Sequence, residues 1–419
     1  MQRRAFLKDS SLALFAAGLG GLPNFLRAAA QHTGLPSPWT QRKILICIFQ
    51  RGAMDGIAAV QPLNDPNLAR LRPGLTLEAG TESGQLFDLN GSFGLHPALR
   101  PLARLFREEQ LSIVHGVGSP HSTRSHFDAQ DYMETGTPGR KGTPSGWLNR
   151  AVGQLPQDGT PFRALSLTPA LPRSLYGPNY ALAVEHLEDL QIGAGLPALS
   201  NSGQTAGGFE ALYRQTSEEL LRESGSVSLD AAQILQAANL GQYQASRGVR
   251  YPNSKLGNSL QQIAQLIKAG VGLEVAFAES PGWDTHARQG GQFGGFNRQA
   301  NDLARCITNF WKDLGPLQDQ VVVMTMTEFG RTIHQNGSNG TDHGRGSCLF
   351  ILGNEIAGGQ VLGQVPTLSE NNLEDGRDLP VTTDFRSVFA GVAEGHLGIS
   401  ASNELFPSWN GSPLSIFQR

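Results

Sequence analysis

The chain has 419 residues, more than one hydrophobic core usually needs, yet no linker or composition break divides it. Charged residues make up 16% and hydrophobic residues 39%, which excludes a disordered chain, a coiled coil and a polytopic membrane protein. The net charge of −3 includes a basic start, with Arg3, Arg4, Lys8 and Arg27 set against Asp9, so the remainder is more acidic still and a nucleic-acid binder is excluded.

Residues 1–30 read as a targeting segment. Arg3 and Arg4 precede Phe6-Leu7-Lys8, an apolar run follows from Leu12 to Leu22, and Ala28-Ala29-Ala30 offers a small-residue cleavage site. This pattern predicts a twin-arginine signal peptide and a periplasmic or secreted destination. Gly18, Gly20, Gly21 and Pro23 interrupt the run, which is short of the ~20 residues a membrane span requires, so no stable span is expected once the signal is removed. Cys47, Cys306 and Cys348 sit in apolar or periodic stretches and predict buried thiols without a disulfide framework.

Beyond the signal, continuous apolar runs alternate with helical periodicity. Lys43 to Phe49 predicts a strand covered on both faces. Pro97 to Glu109 predicts a helix, and Leu111 to Val117 a second strand. The stretch from Leu190 to Gln244 breaks the alternation with a Gly/Ser-rich loop and a polar segment, and predicts a cap or insertion. Lys255 to Ala269 and Phe296 to Leu314 predict helices around a strand at Leu273 to Ala278. Strands at Val321 to Met326 and Cys348 to Leu352 and a helix at Asp384 to Leu397 complete the pattern. The expectation is an α/β domain over residues 43–398 with a mostly parallel central sheet and a C-terminal extension over 399–419. Ligands in such sheets bind beyond the carboxyl ends of the strands.

Those ends carry the polar motifs. Asp55 stands in the Gly-flanked turn Gln50 to Gly56, where it can reach a metal or simply satisfy its own backbone. Gly118 to Asp128 gathers Ser122, Thr123, Arg124, Ser125, His121 and His126 at the start of a helix, more than a cap needs and suited to an anion. Asp284 and His286 lie two apart on one loop and can turn toward one divalent ion. Glu328 and Arg331 follow the next strand, and Asp342 and His343 precede the last. So many Asp, Glu and His at one edge are hard to explain structurally, because unpaired buried charge is costly.

Gly282-Trp283-Asp284-Thr285-His286, Glu328-Phe329-Gly330-Arg331 and Gly340-Thr341-Asp342-His343-Gly344 resemble a family of twin-arginine-exported bacterial proteins of unknown function. That family stands beside the alkaline phosphatases and sulfatases. The resemblance implies an alkaline-phosphatase-like three-layer sandwich and one or two divalent ions, Zn, Mn or Mg. It implies Ser122 as nucleophile, four residues before His126, as in the cofactor-independent mutase branch. Asp55 takes the place of a ligand to the ion on the Ser122 side, and Asp284 and His286 those of the other ion. Two alignments remain for the rest: Asp342 and His343 both serve the Ser122-side ion, or Glu328 serves it and His343 completes the second set.

The resulting expectation is an exported metal-dependent hydrolase of phosphate or sulfate esters. Ser122 attacks, His126 lies within the catalytic motif, and Arg124 and Arg331 neutralise charge on a small anionic substrate. The alternative is a catalytically degenerate binding or assembly module on the same fold, working with an exported protein partner. Phe329, which cannot bind a metal, supports it.

Overall fold

The computed structural model describes residues 42–156, 159–189, 234, 238, 240–400 and 403–418. The expected signal peptide and most of the expected insertion lie outside the described residues.

Twelve strands are present among them. In chain order they are β1 Ile44–Gln50, β2 Val60–Pro62, β3 Phe87–Asp88, β4 Phe93–Leu95, β5 Leu111–Gly118, β6 Ala164–Ser166, β7 Leu182–Ala183, β8 Val275–Ser280, β9 Val321–Met326, β10 Ser347–Leu352, β11 Gln360–Leu362 and β12 Thr383–Asp384. The α-helices are α1 Gly56–Ala59, α2 Leu68–Leu71, α3 Ala103–Arg107, α4 His126–Thr135, α5 Trp147–Gln154, α6 Lys255–Ala269, α7 Gly295–Leu314 and α8 Phe385–Leu397. The main sheet runs β11-β5-β10-β9-β1-β8-β6-β7 with β12 against β5, and β2, β4 and β3 form a small separate sheet.

β1 is apolar from Ile44 to Phe49 because helices cover both faces of the main sheet. Ile44, Ile46 and Ile48 pack with Leu260 and Ile263 of α6 and Leu303 and Phe310 of α7. Leu45, Cys47 and Phe49 pack on the other side with Trp147 and Leu148 of α5 and Val388 and Phe389 of α8. The result is a three-layer α/β sandwich whose sheet is mostly parallel. The three cysteines are buried and free, and burial pushes their thiols up.

Differences from the sequence-based expectations have local causes. The helix expected over Pro97 to Glu109 starts as a 3-10 segment, Pro97–Leu102, because Pro101 brings no N–H to an α turn. The strand expected at Leu273 lies two residues later, and Asp384 is the N-cap of α8, accepting from the Arg386 amide, rather than its first residue. Beyond residue 398, Ile399, Leu405, Phe406, Trp409 and Ile416 fold back into the α5–α8 layer.

One departure matters for the site. β10 runs antiparallel to both β5 and β9. Its N-terminal end therefore shares an edge with the carboxyl ends of β1, β5, β8 and β9, so residues just before β10 join those just after the other strands.

Candidate metal centre

Four loops meet at that edge. His126 opens α4 after β5, Asp284 and His286 follow β8, Glu328 and Arg331 follow β9, and Asp342 and His343 precede β10. The turn after β1 closes over them: Gly52, at φ +114, passes so near the Asp284 backbone that a Cβ would meet its amide nitrogen at 2.5 Å.

One ligand atom each from His126, Asp284 and His343 lies within 4.8 Å of the others. His126 Nε2 is 3.0 Å from His343 Nε2, and Asp284 lies 3.5 Å from the first ring and 3.3 Å from the second. His286 joins from the solvent side, its Nε2 2.8 Å from His343 Nε2 and 3.0 Å from Asp284 Oδ1.

The far side of each ring fixes its tautomer. His126 Nδ1 donates to Glu328 Oε1 at 2.8 Å, His286 Nδ1 to Asp342 Oδ1 at 3.0 Å, and His343 Nδ1 to the Arg124 carbonyl at 2.8 Å. A carboxylate or carbonyl only accepts, so in the neutral rings all three Nε2 atoms are lone pairs. They face one another and the Asp284 carboxylate. Arg331 Nη1 supplies a donor to Asp284 Oδ1 at 2.7 Å.

Electrostatics follow from those contacts. The Glu328 hydrogen bond, outweighing partial burial, raises the His126 imidazole above its usual range. Burial, reinforced by the His126 and Arg331 charges, lowers His343. Burial works against ionisation of Asp284, but Arg331 bonded beside it holds the carboxyl below the usual range. Glu328 is fully buried, and donors from His126, Gln130 and the Gly52 amide overcome that burial and keep it ionised. Asp342 is held low by His286 first and Asn336 after it. Phe329 packs its ring against His126 and His343, at centroid distances of 4.9 and 5.1 Å, and walls one flank.

The remaining expected residues fall outside the cluster. Ser122 is exposed on the loop before α4. Arg124 gives its carbonyl to His343, while its guanidinium is held by Asp378 at 2.8 Å and Asp375 at 2.8 Å. Arg331 is buried, bonded to Thr341 and Asp284, and not turned to solvent. Asp55 caps α1 and pairs with Arg72, so its carboxylate does not meet the imidazoles. Glu328 and Asp342 stand behind His126 and His286 instead of beside them. Gln130 and Phe329 complete the surroundings; Gln130 had no sequence signal beyond its place one helical turn after His126.

Over residues 42–405 the sequence matches the family described as Protein of unknown function (DUF1501), and the chain belongs to it. No curated protein matches the sequence. Among solved structures, the PsFucS1 sulfatase from Pseudoalteromonas sp. is similar at 12% identity and a TM-score of 0.32, over 82% of this chain and 69% of that one. Among the described residues no helix is long and apolar enough to cross a membrane.

Proposed function

We propose that this protein is an exported, divalent-metal-dependent hydrolase of small phosphate or sulfate esters, with its chemistry centred on His126, Asp284, His286 and His343. One observation supports this most: three imidazoles have their Nδ1 protons committed to acceptors, so their Nε2 lone pairs converge on each other and on a carboxylate. With all three rings neutral, such a set turns lone pairs toward one another and toward a carboxylate, an arrangement a cation among them relieves, and carboxylates or carbonyls behind ligand histidines are the usual accompaniment of a metal. A core of three protein ligands with an open side is the pattern of catalytic rather than structural zinc. Imidazoles favour Zn, accept Mn and suit Mg least.

When bound, the ion would supply Lewis acidity toward an ester oxygen. The chain's own residues do the positioning. Glu328 and Asp342 hold His126 and His286 in one tautomer, Arg331 orients Asp284, and the Arg124 side chain anchors the loop that brings its carbonyl to His343. Ser122, exposed and four residues ahead of His126, supplies the attacking hydroxyl. Arrival through the twin-arginine route, read from Arg3 and Arg4, belongs to the same proposal, as does the division into signal, α/β domain and insertion.

A second reading, an exported binding or assembly module, is favoured by the state of the two arginines. Arg124 and Arg331 are both neutralised by carboxylates, so neither presents a free charge to an anion. The two readings separate on protein purified after export. Elemental analysis and a screen of phosphate and sulfate esters should find bound metal and turnover, with turnover lost by orders of magnitude in Ser122→Ala while the metal stays. Bound metal with no ester cleaved would leave the module, and no bound metal would end the metal reading.

A further inference from the structure

Close to the imidazole cluster, Asp55 is neutralised in a different way. Its side chain and that of Arg72 are each 1% exposed. Arg72 Nη1 reaches Asp55 Oδ2 at 2.8 Å and Oδ1 at 3.0 Å, Gln289 Nε2 donates to Oδ2 at 2.7 Å, and the Ala58 amide donates to Oδ1 at 3.1 Å. A carboxylate offers about four lone-pair directions, and these contacts use them. The rest of the guanidinium is equally committed, with Nε on the Ile333 carbonyl at 2.7 Å and Nη2 on the Thr332 carbonyl at 2.6 Å. A divalent ion would need a bare oxygen and would meet a fixed positive charge at close range in a poorly screened interior. The pair does not fit a metal site.

We infer that the chain holds a single divalent ion, at His126, Asp284 and His343, and that Arg72 permanently takes the cation's place at Asp55. The inference rests on the metal reading above and adds the number of ions. A network ties the two cations' places together. Gln289 Oε1 accepts from Thr285 Oγ1 at 2.8 Å and Thr341 Oγ1 at 2.6 Å, and Thr341 Oγ1 accepts from Arg331 Nε at 3.1 Å, whose Nη1 bonds Asp284. The resident guanidinium therefore braces the ion's carboxylate. On this inference Asp55 cannot help to hold a second ion for a clamp on the attacking and leaving oxygens, and hydrolysis at the imidazole cluster would run with one.

The test counts ions on the full exported chain. The parent is equilibrated with excess Zn²⁺ or Mn²⁺, freed of loose metal by gel filtration and measured by mass spectrometry for metal per chain. One equivalent is expected in the parent, and one in the double variant Asp55→Asn with Arg72→Gln, which removes both charges together and leaves neither buried alone. His343→Ala should retain none. Two equivalents in the parent would overturn the inference while leaving the metal reading intact, and loss of one in the double variant would place the second ion at Asp55; none in the parent would overturn both. Should the double variant fail to fold, electron paramagnetic resonance of the Mn²⁺-loaded parent decides alone. The hyperfine pattern of an isolated ion is expected, and a spin-coupled pair would refute it.

Discussion

Two sets of histidines differ in what answers their ring nitrogens: backbone on both sides in one set, and on one side a carboxylate or carbonyl with other imidazoles on the far side in the other. His96 and His115 are buried and have both nitrogens satisfied by the backbone. Nε2 donates to Gly291 and Val60 carbonyls at 3.1 and 2.9 Å, and Nδ1 accepts from the Ala98 and Gly116 amides at 3.1 and 3.0 Å. His126, His286 and His343 take the opposite tautomer and leave Nε2 facing other Nε2 atoms. A ring answered on both sides by backbone is neutral and complete. A ring fixed on one side only, with its lone pair aimed at others like it, is disposed as the proposed metal reading requires of a ligand.

Acid should expose the largest difference. Burial lowers His96, His115 and the similarly buried His396 to about 4, against about 6.5 for a free ring. Between those values the unfolded chain binds protons that the native rings refuse. The contribution of these rings is therefore full above about pH 6.5, falls as pH drops through that window, and levels off below about 4. Each ring contributes on the order of 3 kcal/mol to that loss, because a proton refused by the native state costs about 1.4 kcal/mol for every pH unit crossed. Urea midpoints across the window should show the fall, and His115→Gln should flatten the slope by about one proton. Equal slopes in parent and variant would mean that His115 is not held neutral.

Truncation sharpens the contrast. His115→Ala leaves a cavity and unpairs the Val60 carbonyl and Gly116 amide, so chemical unfolding should show a loss of about 2–4 kcal/mol. His343→Ala, unfolded in chelator, should cost about 1 kcal/mol or less, because it also removes a lone pair from a crowded set. The same variant should keep no metal through gel filtration. A metal-free His343→Ala as unstable as His115→Ala would put both rings in the structural class.

The smallest effects belong to the carboxylates behind the rings. Glu328→Gln should weaken metal binding by ~10–100-fold without abolishing it. Asp342→Asn should fall at or below the low end of that range, because Asp342 is half-exposed and an Asn oxygen can still accept from His286. Competition against a chromogenic chelator reads both. Complete loss of metal in Glu328→Gln would make Glu328 a direct ligand, as one of the two alignments has it.

Much of the site is legible because polar residues interrupt apolar strands at their ends. Asp284, His286, Glu328, Asp342 and His343 all stand out in that way. In the sequence His126 falls in the motif of the expected nucleophile, not among the expected ligands, since spacing along a loop does not say which way a ring turns. Asp55 looks like a ligand because its turn is indistinguishable in sequence from one that holds a metal. Its partner Arg72 lies 17 residues away with no motif to mark it, and Gln289 lies 234 residues away.

What the sequence determined by itself is what depends on neighbours along the chain. The apolar runs of β1, β5, β9 and β10, the amphipathic faces of α6 and α7, and the presence of acid and imidazole at the loops between them all follow from local periodicity. Only the tertiary structure decided the direction of β10, which brings Asp342 and His343 to the common edge. It alone decided which carboxylate meets an arginine and which ring nitrogen keeps its proton. Those outcomes depend on contacts between residues from 17 to 234 positions apart, where charge and lone pairs are weighed in a poorly screened interior, and one-dimensional spacing carries no record of that balance.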